Sequence, residues 1–363
     1  MITDTTLTAT TTQCLISNQA PQSAFPASQP APVAVFPTLS HNPLAIPLYP
    51  PIPLLLSHTG SPLMSSAAAS SNSDTDGWTI QRILEWTTGF LRQKGIESPR
   101  VEAELLLAFA RKCPRIRLYT DFQTLLTEHE RSTMRELVQR RARREPLAYL
   151  IGSREFYGRS FEVGPAVLIP RPETETLVDV CLELIPQSTS IRIGEVGAGS
   201  GCISISLALQ RPAANIAASD ISEQALQIAQ RNAQKHGVAD RIRFAHGSAL
   251  QPFLNDPELL DGIVSNPPYI RDDEKDSLAP EIRDHEPPQA LYAGTDGLDV
   301  VRLILNHTPQ KLKPGGFIAF ELDPSQCPQV CQMLLDCGCT DIQTHTDLAG
   351  LSRVVSARFQ PAS

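Results

Sequence analysis

A chain of 363 residues has room for one large domain and a smaller one, and 41% hydrophobic with 19% charged residues is the balance of an ordinary globular protein. The formal net charge is -8, and Asp4, Asp74 and Asp76 are the only charged residues before Arg82. That acidic balance excludes a general electrostatic drive toward nucleic acid, though not a local basic patch.

In chain order, residues 1–76 are rich in Pro, Ser, Thr and Ala and have no positive charge. Such a stretch buries too little apolar surface to offset chain entropy, which predicts a disordered tail. A mis-assigned start, with Met64 as the true one, is the other reading. A transit peptide would be rich in arginine, and this stretch has none. The apolar run Ala45 to Leu56 is broken by Pro47, Pro50, Pro51 and Pro53 and is too short to span a bilayer. It also lacks the positive flank of a secretory signal, so the expected location is the cytoplasm.

Residues 77–145 are predicted to form a small helical domain. Ile80, Ile83, Leu84, Phe90 and Leu91 recur at helical spacing. Ser98-Pro99 opens a second helix carrying Val101, Leu105, Leu106 and Leu107. Thr127 and Glu130 have capping-box spacing ahead of a long amphipathic helix. Its closing arginines, Arg140, Arg141, Arg143 and Arg144, are either a solvated end favoured by the helix dipole or a docking surface for an acidic partner. Residues 146–190 are a linker. It holds a hairpin, Glu155 to Tyr157 and Phe161 to Val163 about Gly158, and a helix through Leu177, Val178 and Leu182.

From residue 191 to about 360, short apolar strands alternate with helical patterns. Strands are expected at 191–196, 215–219, 243–246, 262–265 and 317–322, and helices at 202–209, 222–236 and 298–312. This predicts an α/β fold with a mostly parallel sheet covered by helices. Of the eight cysteines, Cys14, Cys113, Cys181 and Cys202 are dispersed, and Cys327, Cys331, Cys337 and Cys339 cluster. The cluster lacks two short knuckles separated by a longer loop, so reduced thiols and no metal are expected.

Three motifs carry chemistry. Gly197-Ala198-Gly199-Ser200-Gly201 lies between the first strand and its helix, where glycines allow a sharp turn and close approach of a ligand. Cys202 stands where a dinucleotide fingerprint needs glycine, and there is no Walker lysine. Asp220 ends the second strand, where a carboxylate can accept hydrogen bonds from both hydroxyls of a ribose. The alternative, a helix cap, falls as readily to Ser222. Asn266-Pro267-Pro268-Tyr269 follows the fourth strand. An amide or ring amino nitrogen is a poor nucleophile because its lone pair is delocalised. A site that engages both hydrogens of the planar NH2 turns the lone pair toward an electrophile. The Asn266 side-chain oxygen and the Pro267 carbonyl are two such acceptors, the prolines hold the turn rigid, and Tyr269 offers a flat face.

Glu195 completes the pattern E-x-G-x-G-x-G, which resembles the first motif of class I S-adenosylmethionine methyltransferases. Glu145 to Gly152, Arg154 to Gly158, Leu168 to Glu175, Glu286-Pro287, Asp296 to Leu298 and Leu348 to Val355 resemble the peptide chain release factor glutamine methyltransferases, the HemK/PrmC family. The resemblance covers about residues 78–359. It implies a Rossmann-like class I methyltransferase sheet, mostly parallel with one antiparallel strand, behind a small N-terminal helical bundle that helps grip the substrate protein. It implies S-adenosyl-L-methionine as cofactor, held by Gly197 to Gly201, Asp220, Ser248, Ala249 and Asn266. It implies N5-methylation of the glutamine in the Gly-Gly-Gln loop of release factors, with Asn266 to Tyr269 as catalytic and substrate-binding residues and Arg171 and Glu173 beside the substrate pocket. Ser248 and Ala249 depart from the acid and the bulky residue frequent there, which leaves the adenine contact open. The alternatives are glutamine methylation of a ribosomal large-subunit protein and adenine-N6 methylation of nucleic acid.

Overall fold

The computed structural model describes residues 77–361. The expected tail, its apolar run and Cys14 lie outside them.

The first elements are helical: α1 (Ile80–Gln93), α2 (Pro99–Ala110), α3 (Arg117–Thr120), α4 (Glu128–Ala142) and α5 (Leu147–Ile151). Thr127 and Glu130 do form the capping box: the Thr127 hydroxyl accepts from the Glu130 amide at 3.2 Å and the Glu130 carboxylate accepts from the Thr127 amide at 2.7 Å. Ile80, Leu84, Leu91, Leu106, Leu107 and Leu118 pack with no exposed surface, and this apolar cluster holds the short helices together.

The arginines that close α4 are mostly committed inside the protein. Arg140 pairs with Glu145. Arg141 is buried, with Glu102 of α2 on one side and Glu281 on the other at 3.2 Å. Arg144 reaches the same Glu281 at 3.1 Å and the carbonyl of Lys94 at 2.7 Å. Neither a solvated helix end nor an outward docking surface describes Arg141 or Arg144. They tie the helices to the chain around Glu281.

The hairpin is β1 (Ser153–Phe156) and β2 (Arg159–Glu162). It begins earlier than expected because Tyr157 (φ 49) and Gly158 (φ 69) both take the left-handed conformation of a two-residue turn. Helix α6 (Thr174–Leu184) then leads into the sheet.

Seven strands, β3 (Ile191–Val196), β4 (Ala214–Asp220), β5 (Ile242–His246), β6 (Leu260–Ser265), β7 (Leu312–Glu321), β8 (Cys339–Thr346) and β9 (Ser352–Phe359), pair in the order β5-β4-β3-β6-β7-β9-β8. Only β9 runs antiparallel to its neighbours. Along each strand, alternate residues face opposite sides. Ile193, Ile216, Ala218, Val264 and Phe317 pack with α6, α7 (Cys202–Gln210) and α8 (Glu223–Lys235). Val196, Ile263, Ile318, Phe320 and Val355 pack with α10 (Asp299–Lys311) and α11 (Cys327–Asp336). The short helix α9 (Pro280–His285) lies in the excursion between β6 and α10.

One expected strand boundary moves well along the chain. Strand β7 starts at Leu312 rather than 317, because Leu312 already pairs with Leu260 ahead of a register shift. The clustered cysteines divide between α11 and the start of β8. Among the described residues, no group of three or more His, Cys, Asp or Glu is placed to hold a metal, and no helix is long and apolar enough to cross a membrane.

Removing one partner of a buried ion pair leaves the others uncompensated. Arg141→Ala is therefore expected to cost roughly 3 kcal/mol, measured as a shift in the urea unfolding midpoint at constant slope. A loss below about 1 kcal/mol would assign the ion pair the weight of a surface contact.

Candidate active site

Strand order reverses between β3 and β6, and the carboxyl ends of the strands at such a point form the crevice where α/β sheets bind ligands. The parallel register aligns Val196 with Ser219 and with Ser265. The ends are stitched together by hydroxyls: Ser265 donates to the Val196 carbonyl at 2.7 Å, and Ser219 donates to the Ala249 carbonyl at 2.6 Å. A cleft of about 300 Å³ opens there, and Gly197, Ala198, Gly199, Ser200, Asp220, Ser248, Ala249, Asn266, Pro268 and Arg171 all line it.

The glycine turn is built for this position. Gly197, Gly199 and Gly201 all have positive φ. The amides of Gly197 and Ala198 donate to the Ser219 carbonyl at 2.9 and 3.0 Å, which pins the turn to the neighbouring strand. A side chain at Gly199 would enter open space, so the main chain there is bare toward the cleft. Gly201 does not line the cleft. It sits behind the turn, where a β-carbon would meet Ile205 at 3.0 Å and Ala229 at 3.2 Å.

Asp220 is tied to the same turn. One carboxylate oxygen accepts from the Gly199 amide at 2.8 Å and the other from the Ser222 amide at 2.9 Å. Burial raises its pKa against the pull of those amides. The capping of α8 falls to Ser222, whose hydroxyl accepts from the Ala225 amide at 3.2 Å. The Asp220 carboxylate thus keeps acceptor capacity for a ligand beyond its main-chain amides. Glu195 lies beneath the turn, fully buried, and burial pushes its pKa up to about 8. Its carboxylate accepts from the Ser204 amide at 3.2 Å, at the start of α7.

The Asn-Pro-Pro-Tyr turn serves two clefts. Asn266 and Pro268 line the first, and Tyr269 lines a second with Ile270, Arg271, Asp296 and Gln326. Pro267 is buried and lines neither. The Asn266 side-chain nitrogen donates to the Thr174 hydroxyl at 3.1 Å. Burial and the nearby Glu321 raise the Tyr269 phenol to about 12, so it is neutral at physiological pH.

Arg171 lines the first cleft and pairs with Glu286, which is buried and also accepts from the Ile169 amide at 3.1 Å. Glu173 instead sits exposed at the start of α6 and lines neither cleft. Composition and spacing did not single out Gln326. Its side-chain nitrogen donates to the Tyr269 carbonyl at 2.9 Å and to the Asp296 carbonyl at 3.0 Å. Ile221, Val300 and Leu303 also escaped notice, and they supply apolar surface to the cleft beside Ser248 and Ala249. Only the position of Ile221 after Asp220 hinted at this.

A wider depression of about 830 Å³ lies at the opposite ends of the strands. Its Arg192, Arg243 and Lys313 are already paired with Asp256, Glu258 and Asp261, so these three cations are already matched.

The sequence profile of the methyltransferase small domain matches residues 175–285, and that of the PrmC N-terminal domain matches residues 82–152. With this sheet order and a glycine turn at its crevice, the protein is a class I S-adenosylmethionine-dependent methyltransferase. A release factor glutamine methyltransferase of Geobacter sulfurreducens is 43% identical over 282 residues, covering 78% of this chain and 97% of that protein. One of Rhodopirellula baltica is 42% identical over 294 residues, covering 79% and 98%. The chain belongs to the release factor glutamine methyltransferase family. The solved release factor-specific protein-(glutamine-N5) methyltransferase of Alicyclobacillus acidocaldarius is 28% identical, covers 55% of this chain and 100% of that one, and has a TM-score of 0.35.

The tightest constraint on the site is at Gly297, with φ +73. A β-carbon there would lie 2.1 Å from the Tyr269 carbonyl oxygen and 2.4 Å from the Gln326 side-chain nitrogen. Gly297→Ala is expected to lose about 2 kcal/mol or more of stability from left-handed strain and displaced backbone. Turnover should fall with it. An unchanged unfolding midpoint and rate would show that the turn has slack.

Proposed function

We propose that this enzyme methylates the N5 nitrogen of the glutamine in the Gly-Gly-Gln motif of peptide chain release factors, in the cytoplasm, using S-adenosyl-L-methionine. The observation that carries the reading is the turn Asn266 to Tyr269, which gives one face to a cleft of cofactor size and the other to a second cleft alongside.

The residues of the first cleft fit the cofactor. Bare main chain at Gly199 admits the methionine part closely. The remaining acceptor capacity of Asp220 suits the ribose hydroxyls. Ser248 and Ala249 offer little to an adenine ring, and Ile221, Val300 and Leu303 supply the apolar surface they lack. When bound, the cofactor supplies an electrophilic sulfonium methyl.

The substrate glutamine amide enters from the Tyr269 side. The Asn266 side-chain oxygen accepts one of its hydrogens, so the nitrogen lone pair faces the first cleft, and Pro267, buried outside both clefts, holds the turn rigid instead of accepting the second. No strong base is needed beforehand, because the NH2 protons become acidic as the nitrogen gains positive charge. Tyr269, neutral and held by Gln326 through its own carbonyl, stacks on the planar amide. Arg171, held by Glu286, supports the edge of the pocket. Glu173, exposed, contributes at most through the start of α6.

The test is methyl transfer from labelled cofactor to purified, unmethylated release factor. Label is expected on the Gly-Gly-Gln glutamine; label on a ribosomal large-subunit protein or on DNA, with none on release factor, would overturn the assignment. Asn266→Ala is expected to abolish turnover while cofactor affinity, read by calorimetry, changes by less than about threefold. Asp220→Ala is expected to do the reverse first, weakening cofactor binding by about ten- to a hundredfold through lost charge-assisted hydrogen bonds. An equal loss of cofactor affinity in both variants would make Asn266 a cofactor residue only.

A further inference from the structure

An asparagine amide has two ends of nearly equal size, and the reading of Asn266 above works with one orientation only. With the oxygen toward the substrate, the amide accepts. Turned over, it offers hydrogens to hydrogens. Nothing in the Asn-Pro-Pro-Tyr sequence itself chooses between the two.

The choice is made on the far side of the residue. There the Asn266 nitrogen donates to the Thr174 hydroxyl at 3.1 Å. Behind this pair lies the carboxylate of Glu321, at the end of β7, whose pKa the Thr174 and Asn266 side chains both pull down as nearby donors. Thr174 and Glu321 are buried, with 2% and 1% of their surface exposed, and Glu321 keeps one carboxylate oxygen with no partner. A carboxylate only accepts. It therefore requires the Thr174 hydroxyl to donate to it, which turns the Thr174 lone pair toward Asn266 and requires the nitrogen there. The nitrogen is thus engaged on this side, and the oxygen is left for the cleft.

We propose that Glu321, acting through Thr174, is a positioning residue that holds the Asn266 amide with its oxygen toward the substrate nitrogen. The inference rests on the reading of Asn266 as an acceptor for the substrate NH2. Burial gives the relay a pH limit. Desolvation raises the Glu321 carboxyl, against the hydrogen bonds from Thr174 and Asn266 and the charge of Arg353 on β9, and with the help of Glu173 on α6, to about 7. Tyr269 and Cys202, which also face it, have pKa values raised by burial and stay neutral throughout this range. Once protonated, Glu321 can donate, and the single orientation of Asn266 is lost. The relay is therefore intact above about pH 7 and fails as the pH falls through it.

The experiment compares Glu321→Gln, Thr174→Val, Thr174→Ser and Asn266→Ala, using release factor as substrate and calorimetry for S-adenosylmethionine binding. Glu321→Gln is close in shape, yet its amide no longer dictates one orientation. It is expected to lower kcat about ten- to a hundredfold with cofactor affinity unchanged, and to remove the acid limb that the wild-type kcat shows near neutrality. Thr174→Val should lose a comparable factor, and Thr174→Ser should restore most of it. Infrared titration of the folded protein should show a carboxyl band changing near pH 7 that is missing in Glu321→Gln. Wild-type kcat and an unchanged acid limb in Glu321→Gln, with Asn266→Ala inactive, would overturn the relay alone. An active Asn266→Ala would overturn the acceptor reading and the relay with it. Equal activity of Thr174→Val and Thr174→Ser would show that the hydroxyl plays no part.

Discussion

The parallel register of β4, β3 and β6 is the constraint on which the rest depends. It ends Val196, Ser219 and Ser265 at one level, so three loops of different sequence open onto one crevice. Two buried serine hydroxyls hold those loops to the strand ends. A slip of one residue would turn each strand's core face to the other side and would separate Asp220 from the Gly199 amide. The glycine turn has no rigidity of its own. It has shape because Ser219 and Asp220 on the next strand accept its amides.

Charge is managed in a second layer behind the cleft. Glu195, Glu286 and Glu321 are all nearly or fully buried, which is costly unless each carboxylate finds donors. Glu286 pairs with Arg171 and accepts from a main-chain amide. Glu195 and Glu321 have fewer donors, and burial raises both. Each buried carboxylate stands behind a different part of the site: the glycine turn, the Arg171 edge and Asn266. The side chains facing the cleft are mostly small or apolar, and their orientation is imposed from behind.

The helical bundle connects to this layer through Glu281. Arg141 and Arg144 grip it from α4, and five residues later Glu286 grips Arg171 at the edge of the cleft. A short stretch of chain thus ties the helical end of the molecule to the pocket by charge-assisted contacts at both ends.

Much of this was legible in the amino-acid sequence. Strand and helix alternation follows from local periodicity, and the left-handed turn at Gly197 to Gly201 from glycine itself, so the fold class and the cleft were readable without coordinates. Asn266 to Tyr269 was legible as a candidate for planar-nitrogen chemistry because it places an amide oxygen on a rigid proline turn after a strand. Long-range pairing was not legible. Gln326 lies 57 residues from the Tyr269 carbonyl it holds, and Thr174 lies 92 residues from Asn266. Neither has any local pattern. Arg140 to Arg144 looked like a charged helix end, and the fold folded two of them inward. Sequence by itself determined the fold class and which groups are candidates for the chemistry, because those are set by residue type and near neighbours. Only the tertiary structure decided how they point, because a buried side chain takes its orientation from donors and acceptors that other elements bring to it.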